Sequence, residues 1–278
     1  MLATLLRVKE NVFIGGNAGG LSQTGIYNIA IGTDAFDAED GNASYAIAIG
    51  LNALGGTNHD DADYNIAIGH NAVASANTSG MSGIVIIGQT AGFAMNNAGA
   101  NYTTGIGFEV FRNLTSGQGN TAIGKHALYA EDDGDFNTAV GFEALKAQTG
   151  TSGTTANSGL GYRAGFYNTT GVKNTYIGYH SGFGVNGNPN SSNSALGYRS
   201  LVGITTGTVN TAMGESAGAS ATTASGSVFL GADAGGTVTT GNMNIAIGFD
   251  AMKGGTVTGD NNIAIGVSAG DALTSGIN

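Results

Sequence analysis

The chain has 278 residues, of which 50 are glycine and one is proline, and it carries neither cysteine nor tryptophan. Collagen needs glycine at every third position, and disulfide scaffolds, thiolate metal sites and cysteine nucleophiles need cysteine, so the composition excludes these classes. A net charge of −10, from 19 acidic and 9 basic residues, disfavours a nucleic-acid partner, and hydrophobic residues at 41% argue against disorder.

The first ten residues differ from the rest of the chain. Their short apolar run precedes the basic residues Arg7 and Lys9, which is the reverse of the order in a secretory signal peptide. The longest apolar runs are about five residues, far shorter than a membrane-spanning helix. We therefore predict a short anchoring or capping segment at 1–10, no membrane insertion, and a single repeat domain at 11–278.

One motif recurs from residue 11 onward. Asn-Ile-Ala-Ile-Gly occurs at 28–32, 65–69, 244–248 and 262–266, and close variants fill the intervals. Aligned on the final residue, the copies number fifteen and are spaced by 17–20 residues. The structural repeat glycines are Gly15, Gly32, Gly50, Gly69, Gly88, Gly107, Gly124, Gly141, Gly161, Gly178, Gly197, Gly214, Gly231, Gly248 and Gly266.

Each copy predicts a short strand that ends at its glycine. The residue before the glycine is aliphatic in all fifteen copies, and the residue two places earlier is β-branched or serine. A mostly small residue lies between them, and asparagine precedes the strand in eleven copies. This alternation of period two is typical of a strand with two distinct faces. We expect the aliphatic pair to form the interior and the alanine-bearing face to be left bare as a self-association surface.

A small residue follows three places after the glycine, and then either a glycine or a larger apolar residue. This pattern predicts a second short strand or extended segment, followed by a polar turn such as Thr205-Thr-Gly207. The copies at 84–88 and 103–107 lack the asparagine and are expected to be irregular. Stacked at about 4.8 Å, the coils would form an all-β parallel β-solenoid, or β-roll, roughly 70 Å long.

The repeated core, for example Asn120-Thr-Ala-Ile-Gly124, resembles the head repeats of YadA-type trimeric autotransporter adhesins. It is also similar to the Asn-Thr-Ala-Ile-Gly repeats of bacteriophage tail fibres and other virion fibres. The resemblance spans nearly the whole chain and implies a left-handed parallel β-roll in which three chains associate around one axis. YadA-type head repeats are commonly shorter, and the chain lacks that family's signal sequence, neck, heptad stalk and membrane anchor. These departures favour a virion fibre, a fragment of a larger adhesin or a self-assembling filament.

No catalytic, cofactor-binding or metal-binding residue is predicted. His70, His126 and His180 follow the repeat glycine at variable surface positions, and His59 lies in a turn. The acidic turns at 37–42, 59–63 and 131–135 could recruit calcium, but they fit neither the EF-hand nor the calcium-roll spacing, so solvated turns are the simpler interpretation. Six aromatic residues directly after repeat glycines predict a lateral ladder in the central coils, which packs between coils or chains or binds glycans: Phe108, Phe142, Tyr162, Tyr179, Tyr198 and Phe249.

These features predict a non-enzymatic structural or adhesive fibre protein, a trimeric rod of a phage tail, a virion fibre or a cell-surface adhesin. It would act in a virion or at a cell surface, bound to copies of itself, to other fibre proteins at its ends and to a host glycan or receptor. A filament that polymerises head to tail is the alternative, because neither end of the repeat array carries a polar cap. A polysaccharide-degrading spike and an ice-binding solenoid are minor alternatives, since the first needs paired carboxylates in a groove and the second a regular threonine ladder.

Overall fold

A computed structural model describes residues 10–20, 24–37, 43–56, 63–74, 80–95, 98–150, 153–185, 187 and 189–275. The fold is all-β, and the described residues contain one 3-10 turn at Ala98–Ala100. The strands are β1 Val12–Ile14, β2 Ile29–Ile31, β3 Ile47–Ile49, β4 Ile66–Ile68, β5 Val85–Ile87, β6 Thr104–Ile106, β7 Thr121–Ile123, β8 Gly134–Asp135, β9 Thr138–Val140, β10 Gly153–Thr154, β11 Ser158–Leu160, β12 Thr175–Ile177, β13 Ser194–Leu196, β14 Thr211–Met213, β15 Val228–Leu230, β16 Ile245–Ile247 and β17 Ile263–Ile265.

The described residues form two compact units. The first runs to Asn137 and includes 149–154, and the second comprises 138–148 and the residues from 155 onward. In the first unit β1 to β7 pair in chain order, all parallel, and β8 pairs with β10. In the second unit β9 pairs with β11, and β11 to β17 follow in chain order, again all parallel. Both units are therefore parallel β-solenoids, and the predicted repeat strands are all present among the described residues.

The repeat glycines lie directly after these strands and allow the coils to approach closely. Their φ angles lie between 127° and 148°, a region that side chains other than glycine rarely adopt. A Cβ atom added to Gly178 would lie 2.5 Å from the carbonyl oxygen of Gly197 in the next coil. Gly32 approaches the carbonyl of Gly50 in the same way in the first unit. The backbone angle favours glycine throughout this column, and at positions such as Gly32 and Gly178 the available space also excludes a side chain.

The alanine-bearing face of each strand is the interior, so the prediction of which face points inward was wrong. Ala30 and Ala212 in the middle of β2 and β14 are fully buried, whereas Leu196 and Met213 at the ends of β13 and β14 are 43% and 46% exposed. The chain reverses direction right after the strand, which leaves a thin interior. Small side chains fit this space, and the aliphatic pair on the other face points outward.

Two positions fill the interior of each coil, and their volumes are complementary. Where the middle strand residue is alanine, the residue four places after the repeat glycine is usually large, as with Ala139 and Leu145, both fully buried. Where the middle residue is large, that position is glycine, as with Phe229 and Gly235. A Cβ on Gly235 would overlap the Phe229 ring, and one on Gly218 in the preceding coil would lie 2.6 Å from it. The ring therefore occupies the space that two glycines leave open.

The segment after each repeat glycine is a turn, which corrects the predicted second strand. In one coil Glu143 and Leu145 have φ angles of 56° and 49°, two and four places after Gly141. The Ala144 N–H donates back to the Gly141 carbonyl at 3.3 Å, and the Leu145 N–H donates to the next coil. Positive φ at alternate positions turns the chain back at once, so this segment cannot remain extended. Glycine is frequent four places after the repeat glycine for the same reason.

The buried asparagines connect neighbouring coils. The Asn193 Nδ2 group donates to the Gly207 carbonyl at 2.9 Å, and its Oδ1 accepts from the Asn210 N–H at 3.0 Å. The side chain thus satisfies two buried backbone groups that the turn would otherwise leave unpaired. The copies at 84–88 and 103–107, expected to be irregular because they lack the asparagine, form the regular strands β5 and β6. Ile84 and Thr103 are buried there in place of asparagine.

Candidate functional site

The outward faces of the strands carry a column of partly or largely exposed apolar side chains. The parallel register of the second unit aligns the residue before each repeat glycine with its equivalents in the neighbouring coils. We call this column of the second unit the aliphatic face: Val140, Leu160, Ile177, Leu196, Met213, Leu230, Ile247 and Ile265. All of these side chains are partly or largely exposed. The first unit carries an equivalent column that includes Ile31, Ile106 and Ile123.

Four of the six aromatic residues predicted to form a ladder do stack. The ring centroids of Phe142 and Tyr162 lie 5.5 Å apart, those of Tyr162 and Tyr179 5.0 Å, and those of Tyr179 and Tyr198 5.3 Å. The rings are within 15° of parallel, and each is between 36% and 47% exposed. The ladder follows from the coil spacing, because residues at one repeat position are about 4.8 Å apart.

The other two predicted aromatic residues lie apart from this stack. Phe108, in the first unit, packs beside His126 at 5.7 Å and has the Lys125 ammonium 5.4 Å from its ring centre. Phe249 is half exposed, and smaller residues occupy its column in the adjacent coils.

Basic residues flank the stacked tyrosines. Arg163, His180 and Arg199 lie two places after successive repeat glycines, next in the chain to Tyr162, Tyr179 and Tyr198. The Arg163 guanidinium lies 5.1 Å from the Tyr162 ring centre, and its Nε donates to Glu143 at 2.7 Å. Arg199 is exposed, and no hydrogen bond or ion pair to its side chain is found among the described residues. We call Tyr162, Tyr179, Tyr198, Arg163, His180 and Arg199 the tyrosine–arginine face.

The net charge used in the sequence analysis did not reveal the basic column of this face, although the tyrosine ladder was predicted. The signal was present, because no aspartate or glutamate occurs between Glu143 and Glu215. That stretch holds four of the nine lysine and arginine residues in a chain of net charge −10. A count of charges over the whole chain hides such a segment, whereas a count along the repeats reveals it.

A second aromatic column, in the first unit, was also missed. The rings of Tyr27 and Tyr45 stack at 5.3 Å, and those of Tyr45 and Tyr64 at 5.0 Å. All three residues directly precede the strand-flanking position that usually holds asparagine, and their φ angles are 61–63°. A tyrosine in this backbone region is uncommon, so the recurrence of tyrosine before Asn or Ala at this position was the available signal.

Two of the three histidines among the described residues are less exposed than predicted. His70 is exposed, but the His126 side chain is only 17% exposed and its Nε2 lies 3.1 Å from Glu109 Oε2. The His180 ring packs against Tyr179 at 4.2 Å and Phe183 at 4.5 Å. Burial, together with the nearby charges of Arg163 and Arg199, lowers the pKa of His180 below its ordinary value. His59 lies outside the described residues.

One of the three acidic turns can be described in full. Glu131, Asp132 and Asp133 each present an oxygen within 4.8 Å of the others, so their number and spacing suit a cation. Glu131, however, is fully buried, and its Oε1 accepts from the N–H groups of Gly134 at 2.8 Å and Asp132 at 3.1 Å. Burial raises the pKa of Glu131 to about 7, against the opposing effect of these hydrogen bonds. A carboxyl group held in this way is a turn cap. The 38–42 and 57–62 segments lie outside the described residues.

Two buried carboxyl groups should give opposite pH dependences of stability. The pKa of Glu131 in the fold, about 7, lies above its ordinary value of 4.5, so its contribution to stability is complete below pH 4.5 and is lost as the pH rises to 7. Because glutamine does not ionise, the free energy of unfolding of Glu131→Gln should rise relative to that of the parent by on the order of 3 kcal/mol between pH 4 and pH 8. Urea unfolding at several pH values measures this difference.

Glu143 is the internal control. Burial opposes its ionisation, but hydrogen bonds from Lys146 at 2.6 Å and Arg163 at 2.7 Å outweigh burial and lower its pKa to about 2. Its contribution is present above pH 4.5 and is lost as the pH falls toward 2. Glu143→Gln should therefore be less stable than the parent at neutral pH and approach it in acid. The same pH trend for both variants would contradict the assignment.

A shallow groove of about 470 Å³ opens beside the strands of the second unit. It forms because Gly226 lies between the exposed side chains of Val209 and Met243. Its carboxylate, Asp260, already accepts from the Asn242 N–H at 2.6 Å. The groove therefore offers apolar edges and internally bonded polar groups.

Among the described residues, no helix has the length and apolar character needed to cross a membrane. Comparison with protein-family models, with curated proteins and with solved structures finds no match to this chain.

Proposed function

We propose that the chain is a structural and adhesive fibre module whose copies associate side by side through the aliphatic face. The observation that carries the proposal is the outward direction of the aliphatic column in consecutive strands, exemplified by Leu160, Leu196, Met213 and Leu230, each 42–49% exposed. Soluble monomers rarely expose contiguous apolar surfaces of this kind, since burial of apolar area against a partner is favourable.

A second copy of the chain is the partner that this face fits best. The face has the repeat spacing of the coils, so an identical column on another chain matches it residue for residue. Its side chains are all uncharged valine, leucine, isoleucine or methionine, which suits a dry interface. Three chains around one axis is the number that the resemblance to YadA-type heads implies.

In this role the module acts as a stiff, non-enzymatic shaft in a virion or at a cell surface. Within each unit, the hydrogen-bonded ladders and buried asparagines resist bending, because each coil is bonded to its neighbours along its strand. Adhesion would come from many equivalent weak contacts along the repeats, which together give avidity without a single deep pocket. Other fibre proteins would contact its ends.

Two charges on the aliphatic face should abolish the association. We expect the double variant Leu196→Lys/Met213→Lys to be a folded monomer, because burying lysine in an apolar interface is strongly unfavourable. Size-exclusion chromatography with light scattering gives the mass, and far-ultraviolet circular dichroism checks the fold. The parent should be a discrete species of three chains.

The matched control is Val185→Lys/Val209→Lys, which adds the same charges outside the aliphatic face. These two valines are 52% and 62% exposed. It should keep the parent mass. A monomeric parent would refute the proposal, and an open-ended mass that the aliphatic-face variant does not reduce would favour head-to-tail filaments.

A further inference from the structure

We infer that the tyrosine–arginine face binds an acidic polysaccharide along the direction of the stacked coils. The inference deepens the proposed adhesive function by naming the chemical class of the partner. It begins from charge: Lys146, Arg163, Lys173 and Arg199 lie between Glu143 and Glu215 with no other acidic residue among them, in a chain of net charge −10. Glu143 pairs with Lys146 and Arg163, so the local excess of positive charge rests mainly on Lys173 and Arg199. Such a local reversal attracts an anionic polymer that the rest of the surface repels.

The geometry of the face suits repeated anionic groups. Tyr162, Tyr179 and Tyr198 follow one another at centroid distances of 5.0 Å and 5.3 Å. No hydrogen bond from these three hydroxyl groups is found among the described residues, so they are available as donors. Arg199 adds an exposed guanidinium beside the last ring, which binds a carboxylate through two parallel hydrogen bonds. An extended chain of linked sugar acids advances by about one coil per sugar and can meet a donor at each step.

The stacking of the rings selects a polysaccharide over a nucleic acid. Single-stranded nucleic acids bind by stacking bases on open aromatic faces. Here the faces of Tyr162 and Tyr179 are covered by neighbouring rings in the ladder, with interplanar angles of 12–15°. What the surface presents is the exposed edges of the rings and the basic column next to them. Hydrogen bonds and charge are thus the means of recognition, and both suit uronic-acid carboxylates.

The environment of the basic column makes Arg199 the strongest determinant. Arg163 is already held by Glu143 at 2.7 Å and lies over Tyr162 and Phe166, each ring centre 5.1 Å from Cζ. His180 is packed between Tyr179 and Phe183. These two residues shape the face, and Arg199 contributes the charge that remains to be paired.

The test is calorimetric titration of the full chain with polygalacturonate oligomers. We expect Arg199→Gln to weaken binding about tenfold or more, because a hydrogen bond to a charged group is lost. Tyr179→Phe/Tyr198→Phe keeps the stacked rings, removes two hydroxyl groups and should weaken binding several-fold. The parent should not bind the fully methyl-esterified oligomer, which has the same sugars without the charge, and its affinity should fall with added salt.

The control is Arg112→Gln, which removes the same charge from an arginine of the first unit that lies 3.8 Å from Glu109. Its affinity should match that of the parent. Three results would overturn the inference: an equal loss of affinity in this control, binding of the parent to the methyl ester, or tighter binding to a thymidine oligonucleotide. The inference would also fail if the parent bound none of polygalacturonate, alginate and hyaluronate. Repeating the titration with Leu196→Lys/Met213→Lys separates this result from the proposed association. The monomeric variant should still bind polygalacturonate. If the monomer binds and the parent does not, then the face lies inside the assembly and the inference is overturned.

Discussion

Replacing Gly178 by alanine is expected to destabilise the second unit by at least about 3 kcal/mol, one of the largest effects available from adding a single methyl group. Two causes combine. The φ angle of Gly178 is 128°, and holding alanine in a sparsely populated backbone region costs about 1–3 kcal/mol. In addition, the new Cβ would lie 2.5 Å from the Gly197 carbonyl oxygen, so β12 and β13 would have to separate. Urea unfolding at fixed chain concentration measures the loss.

Gly266→Ala separates the two causes. Gly266 has the same φ of 128°, but the nearest atom to its added Cβ is the Ala269 Cβ, at 3.9 Å. This variant should lose only the backbone contribution, about 1–3 kcal/mol, and should therefore have a higher free energy of unfolding than Gly178→Ala. Equal losses would show that the backbone angle alone fixes glycine in this column and that the close approach of the coils contributes nothing.

The strands and their parallel order followed from the sequence because a fixed repeat places identical residues side by side. A chain with Ile29, Ile47 and Ile66 at one repeat position can pair them only by stacking its coils in register. The turn after the glycine was misjudged because leucine and phenylalanine occur there, and large residues normally avoid positive φ. Leu54 and Phe36 adopt φ angles of 50° and 55° because their side chains fill the interior.

The inward face could not be read from the strand alone. Alternation separates two faces but does not say which one is buried, and hydrophobicity pointed to the aliphatic pair. The deciding information lay six residues after the middle of the strand. There the side-chain volumes compensate: the small Ala139 is matched by the large Leu145, and the large Phe229 by Gly235. Only residues that share one space need to compensate for each other's volume. The basic column of the tyrosine–arginine face was missed for a different reason, because charges were counted over the whole chain rather than along the repeats.

The exchange of volume itself predicts a rescue. Phe229→Ala should lose about 3–5 kcal/mol, because the fully buried ring fills space beside both Gly218 and Gly235. Gly235→Leu alone should also be strongly destabilising, since any side chain there overlaps the ring. The backbone accepts leucine at this position, as Leu145 and Leu201 show with φ angles of 49° and 48° against 63° for Gly235.

The double variant Phe229→Ala/Gly235→Leu recreates the alanine–leucine pair of other coils and should be more stable than either single variant. We expect a favourable coupling of about 2 kcal/mol in a double-mutant cycle measured by urea unfolding. Recovery should be partial, because the space beside Gly218 stays open. Ala139→Phe/Leu145→Gly, the reverse exchange in another coil, is the matched control and should show coupling of the same sign. If the losses of the single variants simply add in both coils, then the two positions do not share one space, and the thin interior must select its residues one position at a time.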